Sequence, residues 1–212
     1  MGAGKTSEST HERLLDAAGK TFADKGYRAA TVRGICSLAG ANVAAVNYHF
    51  GSKRKLYAEV LSSIFGYAMG RYPPDLGQDE ATTPAERLYA FVRAFLLRLL
   101  DPEKPAWHRR LLAREMREPS PMMRGVIEKR IRRSHELLHD ILTGLLGARA
   151  TPRHMELCVA SITAQCLFYQ RRRHMVRRAL RHVKVSPEGI ETLAQHITEF
   201  SLYGVMGGEG RR

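Results

Sequence analysis

Apolar residues recur every three to four positions along most of the chain, and nowhere do they alternate for long enough to predict a strand. Leu14, Leu15, Ala18 and Phe22 set the first helical period, with Ser9 and Glu12 placed as a capping box before it and Gly26 where the helix should stop. The next stretch, TVRGICSLAGANVAAVNYHF, holds two short apolar periods broken at Ala39-Gly40-Ala41, with Thr31 and Asn42 each placed as an N-cap. Two short helices joined by a three-residue turn containing Gly read as a helix-turn-helix. Ser52, after Gly51, caps a longer helix that runs to about Arg71, with Leu56, Val60, Leu61, Ile64, Phe65 and Ala68 on its apolar face.

The stretch YPPDLGQDEATTP, rich in Pro, Gly and acids, then reads as a loop between two halves. Beyond it the periodic segments are again helical, over 84–101, 105–117, 121–146, 151–182 and 187–205, each bounded by Pro or Gly. The pattern therefore predicts an all-α chain of about nine helices. It divides into an N-terminal helix-turn-helix domain, 1–52, and a helical domain, 53–212, entered by the connecting helix 53–71.

Composition narrows the class. With 212 residues, 44% of them hydrophobic, the chain can bury a sizeable core. It contains no run of about 18 apolar residues, and its start, MGAGKTSEST, has no apolar stretch after it, so the expectation is a cytoplasmic protein without a membrane span or signal peptide. Cys36, Cys158 and Cys166 form no metal-binding spacing and sit in apolar helical patterns, which predicts small buried hydrophobes. A formal net charge of +13 points to a polyanionic partner, most simply nucleic acid. The excess is spread over both halves, so charge alone does not locate the contact.

A helix-turn-helix lays its second helix in the major groove. That helix needs one side that packs and another of short or polar side chains that meets base edges. In NVAAVNYHF, Val43, Val46 and Phe50 fall on one stripe suited to packing. Asn42, Ala44, Ala45, Asn47, Tyr48 and His49 are left for the groove and its walls. The alanines permit close approach, and Asn can read adenine. Tyr48 and His49 can donate to phosphates at the end of this helix, while Ser52 and Lys53 open the next helix, whose free N–H groups favour another phosphate. Thr31 and Arg33 are expected on the opposite phosphate wall. The bland reading differs by residue: Ala44 and Ala45 also suit a helix as filler, and Tyr48 and Lys53 could be ordinary surface residues at a helix junction.

From about Thr10 to Val60 the chain resembles the DNA-binding domain of TetR-family transcriptional regulators, through AAGKTFADKGYRAATVRGICSLAGANVAAVNYHFGSKRKLYAEVL. It departs from the common pattern in carrying AAVN where Gly and Leu usually precede the Tyr of the reading helix. REMREPSP, Arg114 to Pro121, and QCLFYQ, Gln165 to Gln170, resemble the CecR-like branch. The resemblance implies an all-helical homodimer joined through its last two helices. It also implies a double-stranded DNA operator and a small-molecule effector whose occupancy of the C-terminal half changes the spacing of two reading heads. Phe65, Met69, Phe95, Trp107, Leu111, Glu115, Gln165 and Phe168 are the candidate pocket residues, although aromatic and Met residues at helical spacing are more often core. No cofactor is expected.

Two other features have weaker readings. Arg171–His182, RRRHMVRRALRH, could form a basic groove for an anionic effector or a further DNA contact, but such runs are more often a solvated helix face. Among nine histidines, only His135 and His139 share an i,i+4 face outside the reading domain, and no third metal ligand can be named. Catalytic serine motifs, phosphate-binding loops and dinucleotide fingerprints are absent from the sequence, which counts against an enzyme on a helical scaffold. The expectation is a one-component regulator, most simply a repressor.

Overall fold

The computed structural model describes residues 9–76, 82–101, 103–171 and 186–207. Among them are nine α-helices: α1 (Thr10–Ala29), α2 (Val32–Ala39), α3 (Val43–Phe50), α4 (Lys53–Arg71), α5 (Pro84–Leu100), α6 (Ala106–Arg117), α7 (Pro121–Leu146), α8 (Pro152–Arg171) and α9 (Pro187–Met206), with a 3-10 turn at Gly147–Arg149. No strand occurs among the described residues. No described helix is long and apolar enough to cross a membrane. The all-α expectation is met. The continuation expected to 182 lies outside the described residues, as does the basic run after Arg171.

Local chemistry sets the helix ends. The Ser9 hydroxyl accepts from the Glu12 N–H at 3.2 Å while the Glu12 carboxylate accepts from the Ser9 N–H at 2.8 Å, closing the capping box on α1. At Gly26, φ +78° interrupts the helical path before Ala29, a conformation that favours glycine. Thr31 caps α2 by accepting from Gly34 N–H at 3.1 Å, and Asn42 caps α3 by accepting from Ala44 N–H at 3.0 Å. Between them Gly40 adopts a left-handed conformation, φ +60°, and Ala41 N–H returns to Cys36 C=O at 2.9 Å.

The described residues fall into two compact units, each with its own core. One takes residues within Met1–Tyr67 and Glu103–Lys129; the other takes those within Ala68–Pro102 and Arg130–Arg212. In the first, α1 packs on α2 and α6, burying Leu14, Phe22, Ile35, Val46, Leu56 and Leu111. In the second, α5 packs on α8 and α9 around Leu88, Leu96, Leu142, Ile162, Cys166 and Ile197. All three cysteines are buried and reduced, as expected of small hydrophobes.

Candidate nucleic-acid interface

The eight residues of α3 divide into a packed side and an open side. Val46 and Phe50 are buried against α1, α2 and α4 in the first core, whereas Ala44, Asn47, Tyr48 and His49 are exposed. Tyr48 is the extreme case, with 85% of its surface accessible. One expectation fails here: Val43, assigned to the packing stripe, is 43% exposed, and Ala45 instead turns part-way onto the core. The physical reason is that a stripe is buried only where a neighbour covers it, and the first turn of α3 lacks such cover.

Capping and contact chemistry coincide at three of the expected residues. Thr31, Asn42 and Ser52 each accept a backbone N–H at a helix start, Ser52 from Lys55 N–H at 3.2 Å. A hydroxyl that accepts in this way keeps its own O–H to donate, and a capping Asn keeps its amide NH2. Each cap can therefore hold its helix and still present a donor outward. Arg33, on the first turn of α2, is exposed beside Thr31.

Lys53 is held in place by groups distant in sequence. Its Nζ donates to Arg28 C=O at 3.3 Å and lies 4.7 Å from the centre of the Tyr27 ring. An ammonium has three donors, so this arrangement fixes the side chain without using it up. His11 supports the other end of the surface. Its ring stacks on Phe50 at 4.7 Å and 25°, and its Nε2 is 2.8 Å from Glu59 Oε1, joining α1 and α4 behind the end of α3. Sequence reading missed both supports. Tyr27 follows Gly26 at a turn and could have been suspected, but nothing local marks His11.

The expected effector residues divide between the units. Phe65, Trp107 and Leu111 belong to the first core, and Glu115 is buried beside Tyr57 and Ser120. In the second unit, Met69 is half-buried, Phe95 stacks on Phe91 at 6.0 Å, Gln165 donates to Ser201 Oγ at 3.3 Å, and Phe168 is exposed. Glu115 and Gln165, the two polar residues among these candidates, are thus each hydrogen-bonded within a different unit. His135 and His139 are exposed on α7, and no described group of three His, Cys, Asp or Glu is placed to hold a metal.

The family described as bacterial regulatory proteins, tetR family, matches residues 14–60, and that described as HTH-type transcriptional dual regulator CecR, C-terminal domain, matches residues 84–205. The chain belongs to the TetR family, with a CecR-type C-terminal domain. It is a DNA-binding transcriptional regulator rather than an enzyme.

The HTH-type transcriptional repressor KstR2 of Mycolicibacterium smegmatis is 40% identical to the regulator over 80 residues, a span of 38% of each chain. The HTH-type transcriptional dual regulator CecR of Shigella flexneri is 27% identical over 177 residues, covering 77% of this chain and 76% of that protein. In fold, the regulator resembles the crystal structure of a transcriptional regulator from Pseudomonas aeruginosa PAO1, with a TM-score of 0.70 at 21% identity, covering 93% of this chain and 90% of that one.

Proposed function

We propose that the regulator is a homodimeric repressor that binds a roughly palindromic operator and is released by a small-molecule effector. The open side of α3 carries this reading: Asn47, Tyr48 and His49 project from a helix whose other side is locked into the core by Val46 and Phe50. In this proposal, Asn42, Ala44 and Asn47 meet base edges in the major groove, while Ala45, half-buried against the core, serves as packing. Tyr48, His49, Ser52 and Lys53 take phosphates on one wall, and Thr31 and Arg33 take them on the other.

Dimerisation is supported by the last two described helices. Leu157 and Phe168 on α8, and Phe200, Tyr203 and Met206 on α9, are large apolar side chains exposed in the single chain. Such groups suit burial against a second copy. Two-fold symmetry would then set the reading helices about 34–36 Å apart, one DNA turn, or a related spacing. An effector bound among the helices after the reading domain needs only to favour a DNA-incompetent spacing. Of the candidate residues, those of the second unit that lie off the exposed apolar face, Met69, Phe95 and Gln165, are its proposed contacts.

Selection of bound duplexes from a random pool at near-physiological salt tests the proposal. Enrichment of a palindrome supports it; a folded, dimeric protein that enriches nothing without added effector counts against operator binding by the free regulator. Tyr48→Phe and Lys53→Ala should weaken binding to all duplexes, while Asn47→Ala should change preference at particular bases. Uniform losses from all three would remove Asn47 from the reading set.

A further inference from the structure

Within the first unit, a cleft of about 780 Å³ opens between the end of α1, the start of α4 and the link from α6 to α7. Four cations line it, Lys25, Arg28, Arg54 and Arg114, against two carboxylates, Glu115 and Glu118. Two of these six are committed elsewhere. The Arg114 guanidinium lies over Gly26, so that a Cβ there would meet Nη1 at 2.8 Å, and its Nη2 donates to Asp24 C=O at 3.3 Å. Glu115 is buried, with one oxygen bonded to the Tyr57 hydroxyl and the other accepting from Ser120 N–H at 2.8 Å. The rim is left with Lys25, Arg28 and Arg54, all exposed, facing Glu118. None of the three forms an ion pair with a described carboxylate.

Three cations sharing one carboxylate leave an excess of like charge, and an arriving anion relieves the repulsion among them. The two guanidiniums present forked donors suited to phosphate oxygens. Position favours the same chemistry. The backbone carbonyl of Arg28 holds Lys53, so the cleft wall and the proposed phosphate anchor share one piece of chain.

We propose that this cleft is a second phosphate-binding site, with Lys25, Arg28 and Arg54 as its ligands. The phosphates come either from DNA flanking the half-site or from a free phosphorylated molecule. The inference rests on the reading of α3 as the groove helix only for the DNA source.

Affinity of the full-length protein is measured against salt on two duplexes: one trimmed to the selected operator, and one extended by about ten base pairs at each end, roughly one DNA turn. For flanking DNA, Arg28→Ala/Arg54→Ala lowers the magnitude of the log–log salt slope by about 1.8 per protomer on the extended duplex, at about 0.9 per lost contact, and leaves the trimmed duplex unchanged. For a free ligand, both slopes are unchanged, while calorimetry without DNA shows pyrophosphate binding that the double variant loses. No change in either measurement overturns the proposal. Lys25→Ala provides an independent variant should the double variant fold poorly, and Arg54→Lys should retain most of the effect. Lys53→Ala is the control for the reading surface: if it leaves both slopes unchanged, the assignment of that surface fails separately from the cleft.

Discussion

The Tyr57 hydroxyl donates to the buried carboxylate of Glu115, tying α4 to α6 across 58 positions of sequence. Burial, and then the bond to Glu115, raise the Tyr57 pKa, so the phenol remains a donor. The second oxygen of Glu115 accepts from Ser120 N–H, and Ser120 in turn caps α7 by accepting from Met123 N–H at 3.1 Å. One carboxylate therefore joins three helices of the first unit.

Tyr57→Phe keeps the packing but removes one donor from a buried carboxylate. The expected loss is about 1–3 kcal/mol, measured as a lower urea midpoint at constant m-value. A change within error would mean that the hydroxyl contributes little beyond packing.

Gly19 lies against the only tryptophan, and a Cβ there would clash with the Trp107 ring. Gly19→Ala should cost about 1–3 kcal/mol through overpacking, despite the better helix propensity of Ala. Thermal unfolding checks this, and an unchanged or higher midpoint would show that α6 can yield at this contact.

His108 is buried with its Nδ1 unbonded among the described residues, and desolvation, then the nearby charge of Lys104, lower its pKa from 6.5 to about 4. Between those values the unfolded chain takes up a proton that the folded chain refuses. Stability should therefore fall as pH drops from about 6.5 towards 4, by at most about 3 kcal/mol. His108→Leu should flatten that part of the stability profile measured by urea unfolding; an unaltered slope would assign it to other groups.

Asn42 combines a cap with a proposed base contact. Asn42→Ala should lower stability by about 1 kcal/mol, whereas Asn42→Ser should restore most of that loss because it can cap in the same way. If the Ser variant regains stability but its operator preference shifts, the amide reads a base. If both stability and preference return, the cap alone matters.

Cys166 is fully buried, and desolvation pushes its thiol up to about 12. It should resist iodoacetamide in the native protein and react only on unfolding, as followed by mass spectrometry. Rapid native labelling would show that α8 opens locally.

The sequence by itself determined the helices, their caps and the helix-turn-helix, because these depend on neighbours a few positions away. Ser9–Glu12, Thr31, Gly40, Asn42 and Ser52 carry their instructions locally, and the many matched positions from Thr10 to Val60 made the family legible. Tertiary structure decided what a pattern of periods cannot express: which buried faces meet. It turned Ala45 inward and left Val43 open, placed Lys53 on Tyr27, and joined Glu115 to Tyr57. It also put α6 and the start of α7 in the same compact unit as the helix-turn-helix. Helical periodicity records that a side is apolar; the partner of that side is fixed only when distant segments compete for contact and the best-packed, best-bonded arrangement wins.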